Sequence, residues 1–188
     1  MMRNLTIPPL GADLEKVLID AASINRRVCE LAQKINEEYK DAKEPLIIVG
    51  VLKGSFIFLA DLSSHLTIPH VTDFIAISSY GQGGDRQGNV RLLMDVREDI
   101  FNRDVLIIED IIDSGNTLKY LQKTFKSRGA NSVKIATFLD KPDRHTASDL
   151  ELDYIGFVIP DVWVVGYGLD YKEKYRTLPY IAVMYPQL

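Results

Sequence analysis

The sequence predicts an α/β protein: a central, mainly parallel twisted sheet flanked by helices, with a small hood made by the N- and C-terminal segments. Three observations carry this. The runs Leu46-Ile47-Ile48-Val49-Gly50-Val51 and Val105-Leu106-Ile107-Ile108 are continuously apolar, as strands buried on both faces must be. Segments with helical periodicity lie between the strands, and that alternation implies parallel pairing through right-handed crossovers. Lys53, Asp110, Asp113 and Lys141 each fall just past a strand end, so separate segments deliver polar groups to one sheet edge, where open α/β sheets bind ligands.

In chain order, Val17 to Ile19 is a short apolar stretch, after which Asp20 or Ser23 can cap a helix. Ile24, Val28, Leu31, Ile35 and Tyr39 mark its buried stripe, and Cys29 is expected beside them as a small core residue. Pro45 precedes the first buried strand; Ser55 to Leu66 reads as a helix and Val71 to Ser79 as a strand. Tyr80 to Asn89 holds three glycines and reads as a loop, with a strand at Val90 to Met94. After the strand ending at Ile108, a helix from about Leu118 to Arg128 stops at Gly129. Val133 to Leu139 is another strand. The short strands at Tyr154–Val158, Trp163–Val165 and Tyr180–Met184 are expected in the hood. Residues 1–188 are read as one domain, with a core over about 40–150 and the hood over about 1–20 and 151–188.

Composition narrows the class. With 188 residues, 46% apolar and 26% charged, the chain suits one globular domain that can bury a full core without staples. A net charge of −4 argues against a nucleic-acid surface. A single cysteine excludes an intrachain disulfide and fits a reducing compartment. The segment MMRNLTIPPL has two prolines and no long apolar stretch, so it does not read as a signal peptide, and no apolar run reaches membrane-span length. The expectation is a cytoplasmic protein.

The chemistry concentrates in Val105 to Thr117. A buried strand delivers Glu109 and Asp110, then Asp113-Ser114-Gly115-Asn116-Thr117 turns into a helix. Backbone N–H groups, two hydroxyls and a helix N-terminus together suit a phosphate monoester. Carboxylates so close to a phosphate need other work, such as holding ribose hydroxyls or a hard cation. From the residues alone, a capped helix after a strand, with its acids in solvent, explains the pattern equally well. No Walker loop occurs, and Gly81, Gly83 and Gly84 lack the strand–helix context of a dinucleotide fingerprint.

The segment Glu109 to Thr117 resembles the phosphoribosyl pyrophosphate signature of type I phosphoribosyltransferases, and its form Glu-Asp-Ile-Ile-Asp-Ser-Gly is closest to the short bacterial hypoxanthine–guanine enzymes. The resemblance spans nearly the whole chain. Val51 to Ser55 resembles the pyrophosphate loop and Ser78-Ser79-Tyr80-Gly81 the start of a mobile closing loop. Lys141-Pro142-Asp143-Arg144 resembles the base-binding segment, and Ile159-Pro160-Asp161 with Val164 to Tyr171, Tyr175 and Arg176 resembles the hood over the purine.

That resemblance implies the type I phosphoribosyltransferase fold and a purine-salvage reaction: phosphoribosyl pyrophosphate and hypoxanthine or guanine give IMP or GMP plus pyrophosphate, with Mg²⁺ as cofactor. It implies that Glu109 and Asp110 hold the ribose hydroxyls, and that Asp113, Ser114, Gly115, Asn116 and Thr117 wrap the 5-phosphate. Asp113 and Lys141 become the catalytic pair, Asp113 at purine N7 and Lys141 at the 6-oxo group. Lys53, Gly54, Ser79, Tyr80 and Arg176 meet pyrophosphate. Trp163, Val164 and Asp170 join Lys141 around the base, and Asp170 joins Glu109 and Asp110 near metal. In the family the peptide at Leu52–Lys53 can be cis, and a homodimer or homotetramer is implied, with no nucleic-acid or membrane partner. The sequence departs from the pattern at His145, where the family often has a second arginine. A xanthine-preferring transferase and a non-catalytic regulator on the same fold remain alternatives.

Overall fold

The computed structural model describes residues 11–80, 89–147 and 150–185. β1 (Leu14–Ile19) leads into α1 (Ala21–Tyr39), which starts where Asp20 accepts a hydrogen bond from Ser23 N at 2.8 Å. α1 buries Ile24, Val28, Leu31, Ala32, Ile35 and Tyr39, the stripe its spacing dictates. Then come β2 (Leu46–Leu52), α2 (Phe56–His65), β3 (His70–Tyr80), β4 (Asn89–Met94), β5 (Asp104–Ile112), α3 (Asn116–Ser127) and β6 (Ser132–Asp140). A single 3₁₀ turn at Pro142–Arg144 precedes β7 (Tyr154–Val158), β8 (Val164–Val165) and β9 (Ile181–Met184).

Six strands form the main sheet in the order β4-β3-β2-β5-β6-β7. Every pairing is parallel except the β3–β4 hairpin at one edge. Alternate residues of the buried strands serve different layers. Leu46, Ile48, Leu106, Ile108 and Phe138 pack in one core with α1 and α2, while Ile47, Val49, Val105, Ile107 and Ile135 pack in another with α3. Strands sandwiched between apolar layers lose all alternation in sequence, which is why they read as unbroken apolar runs.

The hood is a separate sheet, β1-β9-β8, in which the first and last strands of the chain pair antiparallel. β7 was expected there and is instead the edge strand of the main sheet, parallel to β6. Gly156 makes that approach possible: a Cβ on it would lie 2.3 Å from Phe138 O. Arg27 of α1 donates to Gly156 O at 2.8 Å and Ile155 O at 2.7 Å. That occupies carbonyls an edge strand would otherwise leave open. Cys29 also departs from expectation. It lies one residue off the buried stripe of α1, half-buried, with its Sγ 3.6 Å from Nε2 of His65 on α2.

Candidate active site

The site forms at the carboxyl ends of the parallel strands. The end of β5 and the turn into α3 line a cleft of about 210 Å³, with Glu109, Asp113, Ser114, Gly115 and Thr117 among its walls. Gly115 takes φ +77° at the N-cap of α3, a left-handed conformation that suits glycine. A Cβ there would also meet Leu150 Cδ2 at 2.9 Å. The N-cap residue Gly115 has no side chain to cap α3, and Asn116 N has only a long contact to Ser114 Oγ at 3.4 Å, so this helix start suits an anion in the cleft. Ser114 O accepts from the backbone of Thr146 and Ala147 at 3.1 and 3.0 Å, which braces the turn from behind.

Glu109 is buried and Asp110 is nearly so, on consecutive residues. Burial and the neighbouring Asp110 carboxylate push the Glu109 carboxyl well above its ordinary value, and burial also raises Asp110. Arg176 opposes the rise at Asp110 electrostatically. Asp110 reaches over Gly54: a Cβ on Gly54 would stand 1.4 Å from Asp110 Oδ2. Only glycine lets the loop after β2 pass under that carboxylate. The Leu52–Lys53 peptide in this loop is cis, as the resemblance allows.

The hood closes onto the same loop. Gly168, at φ +106°, would place a Cβ 1.9 Å from Gly54 O. Its N–H donates to Arg176 O at 2.8 Å, and its own carbonyl accepts from Arg176 Nη1 at 2.6 Å. Arg176 also pairs with Asp170 Oδ1 at 2.7 Å, and Glu173 N donates to Asp170 Oδ2 at 2.8 Å. Tyr167, Lys172, Glu173 and Tyr175 have positive φ in this segment. Backbone so constrained persists where surrounding contacts fix it, typically at ligand sites. Lys53 turns its exposed side chain to Glu173 Oε1 at 3.0 Å.

After β6, Lys141 is buried to 9% exposure, its Nζ 3.7 Å from Asp161 Oδ1. Arg144 contacts Asp113 Oδ1 at 3.3 Å and Asp161 Oδ2 at 3.6 Å. Asp113, Arg144, Asp161 and Lys141 are therefore one chain of alternating charges. Sequence reasoning did not assign Arg144 or Asp161 a role; a basic residue three beyond Lys141 and an acid after Ile159-Pro160 were the available signals. Trp163 is 65% exposed and meets Tyr171 edge-on with centroids 6.2 Å apart, so it is no core residue and its indole face is available to a ligand. Val164, next to it, is buried.

Lys53, Lys141, Trp163 and Asp170, expected at the pyrophosphate and base positions, lie outside the lining of the cleft. Among the described residues no group of three or more His, Cys, Asp or Glu side chains is placed to hold a metal ion, so Glu109, Asp110 and Asp170 make no protein cage. Asp170 is engaged with Arg176 instead. Ser79 and Tyr80 end β3, paired with Val90 and Asn89 of β4, and residues 81–88 of the expected closing loop lie outside the described residues.

Residues 18–172 match the phosphoribosyl transferase domain model, and the chain belongs to that family. Its relatives narrow the branch. It is 47% identical over 167 residues to the hypoxanthine phosphoribosyltransferase of Salmonella typhimurium, covering 89% of this chain and 93% of the relative. It is 49% identical over 174 residues to the hypoxanthine-guanine phosphoribosyltransferase of Bacillus subtilis, covering 93% and 95%. The crystal structure of the Bacillus anthracis hypoxanthine-guanine enzyme superposes with a TM-score of 0.86 at 42% identity, covering 92% of this chain and 99% of that one. Within the family the chain is grouped with the hypoxanthine and hypoxanthine–guanine phosphoribosyltransferases.

Proposed function

We propose that the protein transfers the 5-phosphoribosyl group from phosphoribosyl pyrophosphate to N9 of hypoxanthine, and of guanine, giving IMP or GMP and pyrophosphate in purine salvage. The observation that carries this reading is the charge chain joining Asp113 at the phosphate turn to Lys141 on a separate strand end. It links a carboxylate and a lysine ammonium in one network, and a 6-oxopurine calls for a proton acceptor at N7 and a donor at its oxo group.

The turn Asp113 to Thr117 binds the 5-phosphate through backbone donors and the N-terminus of α3. Glu109 and Asp110 accept from the ribose hydroxyls, and hydrogen bonding to a diol suits carboxyls that burial discourages from ionising. The N–H groups of Lys53 and Gly54, with Ser79, Tyr80 and Arg176, receive pyrophosphate. Lys141 donates to the 6-oxo group, Trp163 stacks on the base, and the backbone around Val164 and Asp170 meets its edge. Bond breaking at the anomeric carbon runs ahead of bond making, so these residues act chiefly by position and charge. Asp113 holds the N7 proton during transfer.

Enzymes of this branch are generally Mg²⁺-dependent. Magnesium is usually held by one or two carboxylates plus substrate phosphates rather than by an all-protein cage. The adjacent Glu109 and Asp110 carboxyls fit such a one-sided site and would hold the ion together with substrate phosphates, with Asp170 as the third candidate. When bound, the ion neutralises the leaving pyrophosphate.

No helix among the described residues is long and apolar enough to cross a membrane. We place the enzyme in the cytoplasm as a homodimer or homotetramer, with Leu93, Met94 and Phe101 offering exposed apolar surface for self-association. The test is to mix protein, Mg²⁺, phosphoribosyl pyrophosphate and hypoxanthine and follow ultraviolet absorbance. IMP should form; binding of the sugar pyrophosphate without product would favour the regulator instead.

A further inference from the structure

The role of His145 does not follow from the sequence pattern, and the structure supplies one. His145 Nε2 lies 2.7 Å from Asp140 Oδ1, across the turn that carries Lys141 to Arg144. Asp140 is the last residue of β6 and is 4% exposed; the His145 side chain is 30% exposed. A carboxyl group that deep needs a donor, because leaving it unsatisfied incurs its full desolvation cost. His145 is the side chain the structure brings to it.

We infer that His145 is a positioning residue for base recognition: by bonding Asp140 it clamps the two ends of the 140–145 turn, and so sets where Lys141 and Arg144 point. The inference rests on the reading of Lys141 as the 6-oxo donor. The backbone supports the turn only in part. Lys141 N donates to Ile112 O at 3.2 Å, Arg144 N to Lys141 O at 3.0 Å, and His145 N to Pro142 O at 3.1 Å. The upstream end is tied to the end of β7, where Ile159 N donates to Asp140 O at 2.9 Å. Among the described side chains, the Asp140–His145 bond spans the turn from one end to the other. Beyond it, Thr146 and Ala147 hold the phosphate turn through Ser114 O, independently of the imidazole. Loss of the clamp therefore loosens the base end of the site and spares the phosphate end.

The prediction has a direction for each substrate. His145→Ala should raise the KM for hypoxanthine by about tenfold, the scale expected when a hydrogen bond to a buried charge is lost. The KM for phosphoribosyl pyrophosphate should stay within about twofold of the original, given the intact backbone bonds. His145→Gln keeps a donor near the Nε2 position and should restore most of the base KM; His145→Leu, of similar bulk without a donor, should not. Lys141→Ala serves as control, because it must weaken the base whatever His145 does. Equal losses for both substrates, or failure of Gln to outperform Leu, would reduce His145 to a general structural residue. An unchanged base KM in His145→Ala beside a weakened Lys141→Ala would overturn the clamp alone. An unaffected Lys141→Ala would remove the functional reading beneath it.

Discussion

At Glu109 and Asp110 two carboxyl groups share a buried strand end, and the first is held well above its ordinary ionisation range by burial and by its neighbour. In the unfolded chain Glu109 loses its proton around its reference value of 4.5. In the folded protein it keeps the proton to higher pH. The protonated form thus favours folding below that reference value, and the benefit disappears as pH rises through the raised folded value. Glu109→Gln, permanently neutral, should raise the melting temperature of the free protein at pH 7, with the gain shrinking toward pH 4.5. It should also weaken phosphoribosyl pyrophosphate binding. A melting temperature equal to or below that of the original at pH 7 would contradict the strained-carboxyl account.

Asp113 has a different setting: it is exposed and lies beside Arg144, whose Nε is 3.3 Å from its Oδ1. Asp113→Asn should lower turnover by about 10²–10⁴, the range for general acid–base groups. Phosphate binding should survive on backbone donors; turnover at the original rate would make Asp113 a turn residue only. Its place was legible because a strand, two acids and a hydroxyl turn follow one another in sequence. The raised Glu109 carboxyl was not legible, because burial at a strand end depends on layers contributed by distant segments.

Among the elements, the loop after β2 has the tightest constraint. Gly54→Ala would press a methyl group into Asp110 Oδ2, 1.4 Å from the ideal Cβ, so either the carboxylate or the loop must move. Displacements near 1 Å in a positioned site cost on the order of 10²-fold in rate. Gly54→Ala should show that loss in kcat/KM for phosphoribosyl pyrophosphate, and an unperturbed value would mean that the loop does not hold the leaving group. Helical and buried-strand elements were readable because their periodicities are set by the faces they bury. β7 was misplaced because a five-residue strand, Tyr154-Ile-Gly-Phe-Val, carries no signal of its partner. Gly156 was the available clue, since glycine within a strand often marks close backbone approach. Cys29 shows the same limit: one residue is about 100° of helix, enough to turn a side chain from the core to the flank.

On the scale of the molecule, the active site is an assembly of two sheets. The hood reaches the main sheet through Gly168 on Gly54, Glu173 on Lys53, and a bond from Tyr167 OH to Asp61 Oδ2 at 2.8 Å. Fold class and the gathering of charges at one sheet edge follow from alternation in the sequence. Strand order and the Asp113–Arg144–Asp161–Lys141 chain do not, because they are set by how segments far apart in sequence meet. The site's surplus of carboxyl groups facing anionic substrates predicts that exhaustive chelation abolishes turnover and that added Mg²⁺ restores it. Full activity in excess chelator would contradict the role given to Glu109 and Asp110.

The central claim is that this assembly reads a 6-oxopurine through Lys141. The lysine ammonium has three donors and no acceptor, and the residue is 9% exposed, with Asp161 beside it. Hypoxanthine offers it an acceptor, whereas adenine sets a donor against a donor. Sites built around such a bond discriminate by on the order of 10⁴. The most direct measurement is kcat/KM for hypoxanthine and for adenine with phosphoribosyl pyrophosphate and Mg²⁺. The account predicts efficient turnover of hypoxanthine and a value for adenine lower by about 10⁴; comparable values for the two bases would contradict it.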